Sequence, residues 1–108
     1  MRFFGLKTCD TCRKALAALR EAGITPEVTD VRADGLATAD IAAIVAAFGD
    51  RAVNRASATW RGLPEEARAL PATELLAAHP TVMKRPVIEA EGRFYLGWGA
   101  DVQAALLG

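Results

Sequence analysis

A chain of 108 residues with 52% hydrophobic content fits one compact domain and is too apolar for a disordered segment. Thirteen Lys plus Arg balance thirteen Asp plus Glu, so the formal net charge is zero. That balance supplies no global basic field, and neither direct nucleic-acid binding nor a membrane partner is expected. No apolar run approaches the roughly 18 residues of a transmembrane helix. The N-terminal apolar run stops at Lys7, too early for a signal peptide.

Residues 1–6, Met-Arg-Phe-Phe-Gly-Leu, read as a short buried strand. Cys12, Leu16, Leu19 and Gly23 then recur at helical spacing, with Ala15 and Ala22 beside them, which predicts an amphipathic helix. Cys9-Asp-Thr-Cys12, the only two cysteines, lies at the junction. Cys9 is therefore expected at the helix N-terminus, where unpaired N–H groups and the helix dipole stabilise an anion. Cys12 falls in the first turn, facing inward with Leu16 and Leu19. Such a position lowers a thiol pKa from about 8.5 to roughly 3.5–7.5, so Cys9 is the candidate nucleophile and Cys12 the shielded second thiol. A structural zinc site needs four ligands, and the chain offers two Cys and one distant His, His79. A Cys9–Cys12 disulfide would close too small a loop to stabilise the fold much. Two inert buried thiols remain the rival reading. A CxxC beside a strand–helix unit, without a secretion signal, points to redox or nucleophilic chemistry in a reducing compartment, the cytoplasm.

Gly23 is a natural helix stop, and residues 26–31 resume an extended pattern, completing a β-α-β unit. Asp34-Gly35 marks a turn. Thr38 or Asp40 is expected to cap a helix carrying Ile41, Ile44, Val45 and Phe48, ended by Gly49. Residues 50–63 read as a turn of helix followed by a loop. Pro64 opens another helix with Glu65 and Glu66 near its N-terminus. Residues 71–78 give a short helix ended by His79-Pro80. Residues 87–96 are the clearest β segment, split by a Glu91-Gly92 turn. Pro86 opens it, where a missing N–H is tolerated, and Asp101 is expected to cap a closing helix with Val102, Ala105 and Leu106. The order is β-α-β, a helical middle, then β-β-α: an α/β chain in which Pro86 stands where a thioredoxin fold places a proline, often cis, beside the thiols.

Arg13 and Lys14 follow Cys12 directly, and Arg55, Arg61, Lys84 and Arg85 sit in the middle segment and before Pro86. If Pro86 packs at the thiols, Arg85 is there too. Arginine presents a planar fork suited to oxyanions and carboxylates, so Arg85 and Arg55 are candidates for the anionic part of a substrate. Arginines on loops are also commonly just solvated. Trp60 and Trp98 read as packing residues, and His79 as a helix end.

Four stretches in register carry a family resemblance: Phe4 to Ala15, Val53 to Leu63, Met83 to Val87, and Tyr95 to Trp98. Together they resemble the arsenate-reductase-like (ArsC/Spx) family, nearest its YffB-like branch. The resemblance implies a thioredoxin-like fold over a single domain, residues 1–108, with a helical insertion at about 36–80. It implies Cys9 as nucleophile and Arg55 and Arg85 as oxyanion ligands that acidify it, with Lys84 as a neighbour of lesser claim; Arg13, placed in the first turns of the helix by its position after Cys12, is a further substrate-binding candidate. Arsenate reductases of this family carry a third arginine after the last strand, where this chain reads Gly97-Trp98-Gly99. The glutathione- and glutaredoxin-linked members need only the first cysteine, whereas this chain also has Cys12.

The resemblance therefore implies a thiol-dependent oxidoreductase that reduces a disulfide or arsenate. No bound cofactor is expected, with glutathione as co-substrate and glutaredoxin as a candidate partner. The alternative it implies is an Spx-like redox sensor that binds the RNA polymerase α subunit.

Overall fold

A computed structural model describes residues 1–108, which form two compact units: Met1–Val31 with Arg85–Gly108, and Arg32–Lys84. The first unit is built on a four-stranded sheet. Strand β1 (Arg2–Gly5) pairs in parallel with β2 (Glu27–Asp30) and antiparallel with β3 (Val87–Ala90), which pairs with β4 (Arg93–Leu96). The strand order is β2-β1-β3-β4, the β-α-β plus β-β-α arrangement of a thioredoxin-like fold.

Helix α1 (Asp10–Glu21) makes the crossover between the parallel strands. Its apolar stripe buries Cys12, Ala15 and Leu19 against Phe3 and Ile88 of the sheet. Burying a side chain the size of leucine is worth about 1.5–3 kcal/mol, so this stripe fixes α1, and with it both thiols, on the sheet. The helix stops because Gly23 takes φ +84°, a region open to glycine. Its N–H then donates to the Arg20 carbonyl at 3.0 Å, and the Ile24 N–H to the Leu19 carbonyl at 2.9 Å. These are the paired bonds of a Schellman ending. The β3–β4 turn holds Glu91 at φ 52° and Gly92 at φ 77°, the two left-handed residues of a type I′ hairpin.

Helix α6 (Ala100–Leu107) closes the first unit with Val102 buried, while Ala105 is exposed. Gly99, not Asp101, is its N-cap; Asp101 sits in the first turn, where its charge still suits the dipole.

In the second unit, helix α2 (Thr38–Phe48) buries Ile41 and Ile44. Its N-cap is Ala37, without a side-chain cap, rather than Thr38 or Asp40. A 3₁₀ turn covers Gly49–Ala52, and helix α3 (Ala58–Arg61) occupies part of the stretch expected as loop. The reason is local: the Ser57 hydroxyl accepts the Trp60 N–H at 3.1 Å and so caps one helical turn. Helices α4 (Glu65–Arg68) and α5 (Ala72–Ala78) follow, then a 3₁₀ turn at Pro80–Val82. The segments on either side are drawn together by the Val53–Met83 bridge, by Asn54 N–H to the Val82 carbonyl at 2.8 Å, and by Lys84 N–H to the Ala52 carbonyl at 2.7 Å. No helix in the chain is long and apolar enough to cross a membrane.

Candidate active site

Cys9 is the N-cap residue of α1, in extended backbone conformation with φ −86° and ψ 121°. Its own N–H donates to the Leu6 carbonyl at 3.2 Å, and its carbonyl accepts the Arg13 N–H at 3.0 Å. The sulfur is thus delivered to the end of the helix where unpaired amides collect. Partial burial alone would push the thiol up. Hydrogen bonds from the Cys12 backbone N–H, the Cys12 thiol and Arg85, with the Arg85 charge, outweigh it and hold the Cys9 pKa below the ordinary thiol value.

Cys12 is the opposite case. It is 1% exposed inside the cluster of Phe3, Ala15, Leu19 and Ile88. Burial, and then the neighbouring Cys9 sulfur, push its pKa up to about 11, against the Leu6 amide and the Arg85 charge, which pull the other way. One helix turn therefore holds an anion-prone thiol and a protonated thiol in contact, as the sequence spacing predicts.

The room for Cys12 comes from Gly5. A Cβ at Gly5 would stand 2.8 Å from the Cys12 Sγ and 2.8 Å from Phe3 Cε1, closer than packed atoms allow. A glycine inside a strand signals such a close approach, but nothing in the sequence says which side chain fills the space. Gly5→Ala should cost about 1–3 kcal/mol through overpacking. Adding Cys12→Ala should restore part of it, because the Sγ is removed. Urea midpoints of the two variants check this, and equal midpoints would show that Cys12 does not need the space.

Pro86 is buried and follows a cis Arg85–Pro86 bond, and its carbonyl accepts the Gly97 N–H at 2.8 Å. Arg85 is half-buried and is the cation that acts on both sulfurs. Arg13, by contrast, is exposed and ion-paired with Asp10 one turn back on α1. His79 is the C-cap of α5, and Trp98 packs on the cluster around Cys12.

The remaining candidates, Arg55 and Lys84, lie in the second unit. Both line a cleft of about 340 Å³ together with Asp50, Arg51, Val53 and Asn54. The Arg55 guanidinium stands 5.5 Å from the Trp60 ring centroid, so Trp60 is a platform for a cation as well as a packing residue. Asp50 and Arg51 were not candidates from the sequence. Their place in the cleft depends on the pairing of residues 52–54 with 82–84, which leaves no periodic trace.

A model described as the ArsC family matches residues 4–106. A protein of Haemophilus influenzae is 37% identical over 108 residues, covering 94% of this chain and 95% of the relative. The solved structure of a YffB protein superposes with a TM-score of 0.89 at 36% identity, covering 98% of this chain and 97% of that one. An arsenate reductase (ArsC) related protein from Brucella melitensis superposes with a TM-score of 0.72 at 32% identity, covering 96% and 93%.

Proposed function

Because the chain belongs to the ArsC family, we propose that it is a thiol-dependent oxidoreductase with Cys9 as nucleophile and glutathione as the final reductant. The observation that carries this reading is the Cys9 sulfur at the N-terminus of α1, its anion favoured by Cys12 and Arg85. A thiolate so placed is the attacking species at neutral pH.

With a disulfide substrate, the Cys9 thiolate attacks one sulfur. The S–S bond breaks, the departing thiolate takes a proton, and a mixed disulfide remains on Cys9. A second thiolate then attacks the Cys9 sulfur and frees the other half of the substrate. Cys12 is in place for that step. While Cys9 is anionic, Cys12 stays protonated, with its pKa at about 11. Once Cys9 is consumed in the mixed disulfide, the neighbouring anion disappears and Cys12 becomes easier to ionise. The resulting Cys9–Cys12 disulfide is returned to two thiols by two glutathione molecules, which leave as glutathione disulfide. Overall, one disulfide and two glutathione give two thiols and glutathione disulfide.

Arsenate is the second acceptor to test. Cys9 would displace water from arsenic, and two glutathione would supply the two electrons that yield arsenite, glutathione disulfide and water. Arg85 is the anion ligand beside Cys9 in either case, by a charge-assisted bond of about 1.5–3 kcal/mol. Co-location of glutathione and this chain in the cytoplasm belongs to the same proposal.

Steady-state NADPH oxidation, coupled through glutathione reductase, tests the reading with a small aliphatic disulfide and with arsenate. Cys9-dependent turnover of either supports it, and turnover of neither by folded protein overturns it. Cys12→Ser separates the two resolution routes. The expected outcome is at least roughly tenfold slower disulfide turnover, with the mixed disulfide between Cys9 and half of the substrate accumulating in the mass spectrum. Unchanged turnover would assign the second step to glutathione instead.

A further inference from the structure

Asp30 is the one charged side chain buried in this protein, at 8% exposure. A buried carboxylate is costly unless hydrogen bonds replace its lost hydration. Asp30 ends β2, directly opposite Gly5 in the parallel register, and the Val31 N–H donates to the Gly5 carbonyl at 2.9 Å. Opposed residues of paired strands point to the same face, and a side chain at Gly5 would face Cys12. Asp30 therefore stands on the α1 side of the sheet, where the chain leaves β1 for the thiols. With Phe3, Leu16 and Val28 it borders a cavity of about 40 Å³. The other charged residues on that cavity are Lys7 and Arg13, and Arg13 is ion-paired with Asp10. In such apolar surroundings a hydrogen bond is stronger than in water.

Only Leu6, Lys7 and Thr8 separate β1 from Cys9. The Cys9 N–H, donating to the Leu6 carbonyl at 3.2 Å, closes a four-residue turn. Neither Lys7 nor Thr8 has positive φ, which leaves type I among the hydrogen-bonded turns. The N–H of the second residue takes no part in closing such a turn. Here that N–H, of Lys7, donates to Asp30 Oδ2 at 3.2 Å and ties the turn to β2. The same turn carries the Leu6 amide that acts on the Cys12 sulfur. Cys9, as the N-cap, lies outside the helical backbone and takes its direction from the residues before it.

We propose that Asp30 is a positioning residue of the thiol site: its carboxylate holds the Lys7 amide, so that the Leu6–Cys9 turn keeps the Cys9 sulfur at the head of α1, in reach of Arg85 and the Cys12 thiol. The proposal rests on the reading of Cys9 as the nucleophile.

The test is the pH profile of Cys9 alkylation by iodoacetamide, followed by mass spectrometry on the intact chain. Cys12, buried and with its pKa pushed up to about 11, does not compete near neutral pH. Asp30→Ala removes the acceptor and releases the turn. It should displace the profile to higher pH and slow alkylation at pH 6 by about three- to tenfold, the loss of one hydrogen bond. Asp30→Asn keeps an oxygen for the Lys7 N–H and should retain the profile of the parent. Lys7→Pro deletes the donor instead, at a turn position where proline is accepted, and should reproduce the displacement. The Lys7 amide should be protected from hydrogen exchange in the parent and in Asp30→Asn, and lose that protection in Asp30→Ala.

A role in stability alone would lower the urea midpoint of Asp30→Ala and leave the Cys9 profile in place, which overturns the proposal. An unmoved profile in Lys7→Pro overturns it too, and decides the matter if Asp30→Ala does not fold. Displacement to lower pH in both Asp30 variants would show the carboxylate acting on the thiolate through its charge, and overturns it as well. The parent profile separates this proposal from the reading beneath it. An ordinary thiol profile for the parent Cys9 refutes the nucleophile and the role of Asp30 together. An acidified parent thiol that neither Asp30→Ala nor Lys7→Pro moves refutes Asp30 alone.

Discussion

Cys9→Ser should reduce glutathione-linked turnover on the order of a thousandfold or more, to the rate of uncatalysed exchange. A serine hydroxyl at the same N-cap is a good helix cap but is not ionised at neutral pH and does not attack sulfur. The substitution is therefore neutral or slightly favourable for α1 while it removes the nucleophile. Stability and activity should separate cleanly. The urea midpoint stays within about 0.5 kcal/mol of the parent, and turnover disappears. Turnover that survives in folded Cys9→Ser protein would refute the mechanism, because Cys12, 1% exposed and with a pKa pushed up to about 11, has no means of replacing Cys9 at neutral pH.

Arg85→Ala should raise the Cys9 pKa and move the rising limb of the rate–pH profile to higher pH. Arg85 contributes both a hydrogen bond and a charge that favour the Cys9 thiolate against its partial burial. Below the Cys9 pKa the alkylation rate follows the thiolate fraction, so at pH 6 it should fall by about three- to tenfold, allowing for solvent screening of a half-buried site. Above the ordinary thiol pKa the sign reverses. Both proteins are then fully ionised, and the more basic thiolate is intrinsically the better nucleophile. The two profiles should cross. Iodoacetamide kinetics on a Cys12→Ser background, from pH 5 to 10, make the comparison with a single thiol. A merely damaged site would be slower at every pH, and superimposable profiles would remove the electrostatic role of Arg85. Arg85→Lys, which keeps the charge and loses the planar fork, should fall between the two.

The parts of this site that could be read from the sequence are local ones. The stripe Cys12, Ala15, Leu19 has helical period, Gly23 ends it, and together they put Cys9 at a helix N-terminus before any tertiary contact is known. Gly92 announces the hairpin as a residue that accepts positive φ, and Glu91 is carried into the left-handed region beside it. Signals of this kind slip by one to three residues at element ends. Ala37 and Gly99 take the cap positions expected of Thr38 or Asp40 and of Asp101, and the Ser57 cap makes residues 58–61 helical within the stretch expected as a turn of helix and a loop.

Composition, helical period and turn chemistry by themselves determined an α/β chain with a strand–helix thiol site, because each of those signals is carried by residues a few positions apart. Only the tertiary structure decided what surrounds the thiols. Arg85 reaches Cys9 because β3 pairs with β1, and the strand register, not any local pattern, sets that approach. Gly5 makes room for the Cys12 sulfur because α1 lies against β1 at that residue. Asp50 and Arg51 join Arg55 and Lys84 around one cleft because residues 52–54 pair with 82–84. Such contacts between distant positions arise from packing and register, and a single sequence carries no period from which to read them.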